Sequence, residues 1–85
     1  MQEFKYEIKD EMGIHARPAG LLVKVAAKFS STIKITANGK TVDAKRIMGV
    51  MGLGAKMGQE IVVTAEGDDE TEAIKEVQSF VVGNL

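Results

Sequence analysis

Residues 32–44, Thr32-Ile33-Lys34-Ile35-Thr36-Ala37-Asn38-Gly39-Lys40-Thr41-Val42-Asp43-Ala44, decide the fold. From Thr32 to Ala37 apolar and polar residues alternate, with Ile33 and Ile35 on one side. That period of two marks a strand with one buried face. Asn38-Gly39 follows, and both residues tolerate positive φ, which is what a two-residue hairpin requires. Lys40 to Ala44 is then the return strand.

Upstream, Phe4, Tyr6 and Ile8 alternate with Glu3, Lys5, Glu7 and Lys9, giving another half-buried strand. Asp10 to Gly13 reads as a loop. From Ala16 to about Phe29 the period changes: Ala19, Leu22, Val23, Ala26 and Phe29 fall on one helical face. Pro18 fits the first turn, where its missing N–H does no harm.

Downstream, Ile47 to Leu53 reads as a short helix weakened by Gly49 and Gly52, each costing about 1 kcal/mol against alanine. Ile61-Val62-Val63-Thr64-Ala65, within Glu60 to Glu66, is a β-branched run suited to a central strand. Gly67-Asp68-Asp69 turns the chain. Asp69 and Glu72 stand at capping-box spacing, and Ala73, Ile74, Val77, Phe80 and Val81 stripe a final helix. The order is β-α-β-β-α-β-α. It predicts an α+β, open-faced two-layer sandwich: a four-stranded sheet with three helices on one face. A ferredoxin-like fold is the nearest rival, but it lacks the short helix after the third strand.

Eighty-five residues suit a single domain over 1–85. With 45% hydrophobic and 27% charged residues, the chain should fold rather than stay disordered. It has no cysteine and one histidine, so neither a disulfide framework nor a zinc or iron–sulfur centre is expected, and no other metal or cofactor is called for. Net charge −1 does not favour nucleic acid, and no apolar run approaches membrane-spanning length. The N-terminus lacks a signal-peptide pattern, so a cytoplasmic location is expected.

The chemistry concentrates in Gly13-Ile14-His15-Ala16-Arg17-Pro18-Ala19-Gly20, which holds the only histidine and the only proline. His15 supplies a nitrogen nucleophile where a helix begins. The backbone N–H groups of Ala16 and Arg17 are candidates to bind phosphoryl oxygens, and the dipole favours an anion there. Arg17 adds a planar donor fork suited to phosphate. On these residues alone, a solvated turn histidine and a solvated arginine are the commoner readings.

This motif, Asn38-Gly39-Lys40, Ala44-Lys45-Arg46-Ile47-Met48-Gly49-Val50-Met51 and Ala65-Glu66-Gly67-Asp68-Asp69-Glu70 change those odds. Across essentially its whole length the chain resembles the HPr family, the histidine-containing phosphocarriers of the bacterial phosphoenolpyruvate-dependent sugar phosphotransferase system. The resemblance implies transient phosphorylation of His15 on Nδ1, with Arg17 beside the phosphohistidine. Enzyme I would be the donor and a sugar-specific enzyme IIA the acceptor. It implies a carrier rather than an enzyme, and the same open-faced sandwich of four antiparallel strands under three helices.

The resemblance also implies that the first two helices dock partners. Gly20, Leu21, Lys24 and Ala27 lie off the buried stripe of the first helix, and Leu21 should point outward. Ile47, Met48 and Met51 would extend the patch, and methionines adapt to more than one partner. On spacing alone, core packing is the better reading of Ile47. Lys24, Lys45 and Arg46 would ring the patch with positive charge. A monomer is expected, because this patch must stay free.

One departure stands out. In many low-GC Gram-positive members a regulatory serine opens the short helix; here that position is Arg46, so no regulatory serine is expected there. Arg46 does not mimic phosphoserine, since its charge has the opposite sign. Ser30 and Ser31 are explained by a helix–strand loop. Gly49 to Gly58 lacks the Gly-Lys-Ser/Thr ending of a phosphate loop, and Asp68 to Glu72 lacks EF-hand spacing. The competing functions are a regulatory binding module on the same fold, a specialised phosphotransferase branch, and a domain of a larger fusion.

Overall fold

The computed structural model describes all residues from Met1 to Leu85. Its elements are β1 (Gln2–Glu7), α1 (Ala16–Ala27), β2 (Thr32–Ala37), β3 (Lys40–Asp43), α2 (Ile47–Gly52), β4 (Glu60–Glu66) and α3 (Glu70–Asn84). The four strands form one antiparallel sheet in the order β1-β4-β2-β3. The short helix that separates this order from the ferredoxin-like alternative is present.

Only β2 and β3 are hairpin neighbours. Asn38 (φ 53°) and Gly39 (φ 76°) both sit in the left-handed region, as the tight turn demands. The Asn38 side chain also donates to the Leu53 carbonyl at 3.0 Å, tying the hairpin tip to the end of α2. β4, the β-branched run, lies between β1 and β2. Register places Phe4, Val63, Ile35 and Val42 in one row across all four strands.

The helices cover that inner face. α1 buries Pro18, Ala19, Leu22 and Ala26, and α3 buries Ala73, Val77 and Val81. The two helices pack against each other, and α2 packs against α1 and β3. Val50 and Leu53 carry α2 into the core shared with Ile33, Ile35, Ile61 and Val63. Each such fully buried aliphatic side chain contributes about 1.5–3 kcal/mol relative to exposure. The opposite face of the sheet is polar, with exposed Lys5, Thr32 and Lys34.

The helix and strand ends fall slightly inside the limits read from the pattern. Ile8 and Ala44 lie just beyond β1 and β3 yet are buried. Both remain in register: the Ile8 N–H donates to Gln59 at 2.9 Å and the Ala44 N–H to Ile33 at 2.8 Å. α1 stops at Ala27, and Phe29 packs against the core from the loop.

The capping box expected at Asp69 and Glu72 does not form. Asp69 is the N-cap of α3 by position, but its carboxylate makes no capping bond. It accepts instead from the backbone N–H groups of Ser30 and Ser31, each at 2.9 Å, and from the Ser31 hydroxyl. Ser31 is the only buried polar side chain, so its hydroxyl outcompetes the local helix end for the carboxylate. Glu70 performs the reach-back, accepting from the Gly67 N–H at 3.1 Å.

Candidate functional site

The loop between β1 and α1 is held at nearly every backbone donor. The N–H groups of Lys9 and Asp10 both donate to the Leu85 carbonyl, at 2.6 and 2.8 Å, so the end of the chain grips the loop. The Asp10 carboxylate accepts from the Met12 N–H at 2.8 Å. Gly13 donates to the Asp10 carbonyl, Ile14 to the Ala55 carbonyl and His15 to the Gly13 carbonyl, at 3.0, 3.0 and 3.1 Å. Gly13 adopts φ +66°, and a Cβ there would lie 2.2 Å from the Ala55 oxygen. Backbone conformation and close approach therefore both require glycine. Buried Ile14 pins the loop to the core, and the next residue is His15.

His15 is the N-cap of α1, with extended backbone (φ −102°, ψ −177°) and a side chain that caps nothing. Its side chain is about one-third exposed (34%). Of the first N–H groups of α1, Pro18 has none and Ala19 donates back to the His15 carbonyl at 3.0 Å. The N–H groups of Ala16 and Arg17 have no acceptor. Two unpartnered donors thus face outward at the positive end of the helix beside the imidazole, an arrangement suited to an anion. Arg17 is exposed, and its guanidinium makes no ion pair or hydrogen bond within the protein.

A shallow depression is lined by Asp10, His15, Arg17, Pro18, Leu21 and Asn84. Asp10 and Asn84 were not among the residues singled out from the sequence. Asp10 Oδ2 lies 3.9 Å from His15 Nε2. Its position depends on the turn that bonds it to Met12 and on the Leu85 grip, neither of which has a periodic signature. Asn84 arrives from the far end of α3, a tertiary juxtaposition without a local signal.

Leu21 (39%), Ile47 (40%), Met48 (77%) and Met51 (37%) are all exposed. Ile47, which spacing alone favoured as core, lies at the surface because Val50 and Leu53 take the inward positions of that turn. Lys24 and Ala27 are exposed on α1, while Gly20 is half-buried. A Cβ on Gly20 would sit 3.6 Å from Ile47 Cδ1, so the small residue lets the two helices meet. Ala27 lies eleven residues along the helix from Ala16, about 16 Å at 1.5 Å per residue, at the remote end of the surface.

Of the three cations expected around the patch, Lys45 is tied to the backbone. Lys45 is half-buried, and its ammonium donates to the Phe29 carbonyl at 2.7 Å, beyond the C-terminal end of α1. A cation there is favoured by the helix dipole. Lys24 and Arg46 are exposed. Arg46 is the N-cap of α2 by position, makes no capping bond, and lies 4.0 Å from the Asp43 carboxylate. Asp43 accepts instead from the Lys45 N–H at 2.8 Å.

Residues 2–82 match the PTS-HPr family, described as the PTS HPr component phosphorylation site. The chain belongs to the HPr family. Among solved structures, HPr-C-His from Thermoanaerobacter tengcongensis is 48% identical, with a TM-score of 0.91 over 98% of this chain and 93% of that one. The histidine-containing phosphocarrier protein of Mycoplasma is 43% identical, with a TM-score of 0.94 over 96% and 93%. Crh, the catabolite repression protein of Bacillus subtilis, is 38% identical, with a TM-score of 0.78 over 100% and 98%; that structure is a domain-swapped dimer. HPr membership makes the chain a phosphocarrier-family protein of the phosphotransferase system. No helix of this HPr-family chain is long and apolar enough to cross a membrane.

Proposed function

We propose that this chain is a working phosphocarrier. His15 accepts a phosphoryl group from phosphorylated enzyme I and delivers it to a sugar-specific enzyme IIA. The observation that carries this reading is the position of His15: a one-third-exposed imidazole at a helix N-cap, beside the two free N–H groups of Ala16 and Arg17 and an unpaired guanidinium. In each transfer a bond from nitrogen to phosphorus forms as the donor's bond to phosphorus breaks. Such transfers need alignment and charge stabilisation more than covalent assistance. The backbone donors supply fixed positive potential. Arg17, free of internal partners, follows the phosphoryl oxygens and withdraws when the group leaves. The chain emerges unchanged only after both transfers, so it is a relay component rather than an enzyme.

Leu21, Ile47, Met48 and Met51, with Gly20, Lys24 and Ala27, form the docking face for both partners in this account. We place its work in the cytoplasm, as a monomer whose apolar face is free. The alternative is a regulatory, Crh-like binder, favoured by the likeness to Crh over the whole chain. His15→Ala separates the two readings: a carrier would lose all transfer, whereas a binder need not change.

The test is incubation with phosphoenolpyruvate, magnesium and a bacterial enzyme I, followed by intact mass and acid treatment. One acid-labile phosphoryl group, absent from His15→Ala, is expected. A folded chain that gains no phosphate from competent enzyme I would overturn the carrier reading.

A further inference from the structure

The family resemblance implies phosphorylation of His15 on Nδ1 and leaves the other ring nitrogen unassigned. That nitrogen faces Asp10. The carboxylate Oδ2 is 3.9 Å from Nε2, and the two side chains are equally accessible, at 34% each. Asp10 is also anchored at both its side chain and its backbone. Its Oδ1 accepts from the Met12 N–H, its own N–H donates to Leu85, and its carbonyl accepts from Gly13. One carboxylate oxygen is thus anchored while the other is directed at the imidazole. Arg17 lines the same depression, yet no ion pair joins it to Asp10.

We infer that Asp10 is a positioning residue for phosphoryl transfer: it holds the imidazole proton on Nε2 and supports the charge that the ring acquires when Nδ1 carries the phosphoryl group. This inference rests on the carrier reading of His15. A distance of 3.9 Å is too long for a hydrogen bond as it stands. Bonds of this kind are often long before a partner binds and tighten in the reactive complex. Which ring nitrogen carries the proton is set by what faces the other. With the proton on Nε2, the Nδ1 lone pair is free to attack.

The atoms balance in both directions. On acceptance, Nδ1 donates its lone pair to phosphorus and the donor atom recovers its bonding pair. The ring keeps its Nε2 proton and becomes a phosphoimidazolium beside the Asp10 carboxylate. On delivery, the bond from Nδ1 to phosphorus breaks as the acceptor's nucleophile attacks. The bonding pair returns to Nδ1, and His15 leaves as neutral imidazole with the same Nε2 proton. Without that proton the leaving group would be an imidazolate, which is far poorer. Asp10 therefore acts on both half-reactions while Arg17 attends to the phosphoryl oxygens. Its negative charge stays off the phosphoryl path because it faces the opposite ring nitrogen.

The decisive substitution is Asp10→Asn. Asparagine retains an oxygen for the Met12 N–H and so preserves the turn, but removes the charge. Nitrogen-15 NMR of the ring in the unphosphorylated protein reads the tautomer directly. We expect wild type to be predominantly protonated on Nε2, and Asp10→Asn to gain Nδ1-protonated form. Single-turnover acceptance from phosphorylated enzyme I should slow roughly fivefold, the upper end for a partly exposed charge contact. Glu11→Gln, which removes a neighbouring exposed charge that forms no ion pair with His15, should change neither readout. An unchanged tautomer in a folded Asp10→Asn overturns the inference, whatever the rate does. So does an unchanged rate, or an equal effect from Glu11→Gln. Failure of wild type to accept phosphate would instead overturn the carrier reading, and the tautomer measurement would still decide the role of Asp10.

Discussion

The carboxylate of Asp69 accepts from both the backbone N–H and the hydroxyl of Ser31, 38 residues earlier in the chain, and so ties the start of α3 to the end of the α1–β2 loop. The Ser31 hydroxyl, followed by the Ser30 N–H, lowers the Asp69 carboxyl from its ordinary 3.8 to about 2. Between those values the unfolded chain binds a proton at this site and the native chain does not. Its contribution is fully present above pH 3.8 and is lost as the pH falls through about 2. Asp69→Asn should therefore be less stable at pH 7, and its loss of stability with acid should be flatter across that window. Denaturant midpoints measured from pH 7 to pH 2 check this; parallel curves for the two proteins would contradict it.

The N-terminal ammonium gives the mirror case. It lies 2.9 Å from Glu70, whose hydrogen bond and charge raise its pKa above 8.0. The resulting stabilisation is present below pH 8.0 and fades as the pH rises through the elevated native value. Glu70→Gln should remove that alkaline dependence, as thermal melts at pH 7, 8, 9 and 10 would show.

Gly13 should be intolerant of a methyl group. Its φ of +66° and the 2.2 Å approach to Ala55 both oppose a side chain. Gly13→Ala is expected to cost about 1–3 kcal/mol in denaturant unfolding. Because this glycine sets the approach to His15, phosphoryl acceptance should fall by more than the unfolded fraction explains. Single-turnover transfer at a temperature where the variant is fully folded is the check.

Leu21 and Leu22 are adjacent and should behave oppositely. Leu22 is fully buried and Leu21 is 39% exposed. Leu22→Ala should destabilise by about 2–5 kcal/mol. Leu21→Ala should stay within about 0.5 kcal/mol of wild type, yet raise the KM for enzyme I and enzyme IIA several-fold. Paired melts and transfer kinetics decide whether Leu21 belongs to the docking face.

Much of this was legible from periodicity. The changes between period two and period 3.6 give the two long helices and the strands they alternate with, Asn38-Gly39 gives the hairpin and its return strand, and only the short α2 rests on a weak pattern. The β-branched run at Ile61 to Ala65 marked the central strand. What escaped was tertiary. Asp69 looked like a local cap because its competitor, Ser31, is remote in sequence. Lys45 looked like a surface charge because nothing local shows that the Phe29 carbonyl lies within reach. Ile47 was ambiguous because a helix as short as α2 has too few turns to reveal its buried face. At the site, His15, Ala16 and Arg17 were readable as one contiguous motif. Asp10 and Asn84 reach it only through folding.

Arg46 makes a regulatory prediction. A serine-directed HPr kinase with ATP should leave the chain unlabelled, whereas Arg46→Ser should become a substrate. Labelling of the unaltered chain on any hydroxyl would contradict this.

The most direct test of the carrier account separates loading from delivery. The chain is phosphorylated by enzyme I and phosphoenolpyruvate, purified from both, and mixed with a sugar-specific enzyme IIA. The account predicts that the phosphoryl group moves to enzyme IIA and that the chain returns to its unmodified mass. A chain that loads on His15 but retains its phosphate beside a competent acceptor would contradict the relay and leave a regulatory binder in its place.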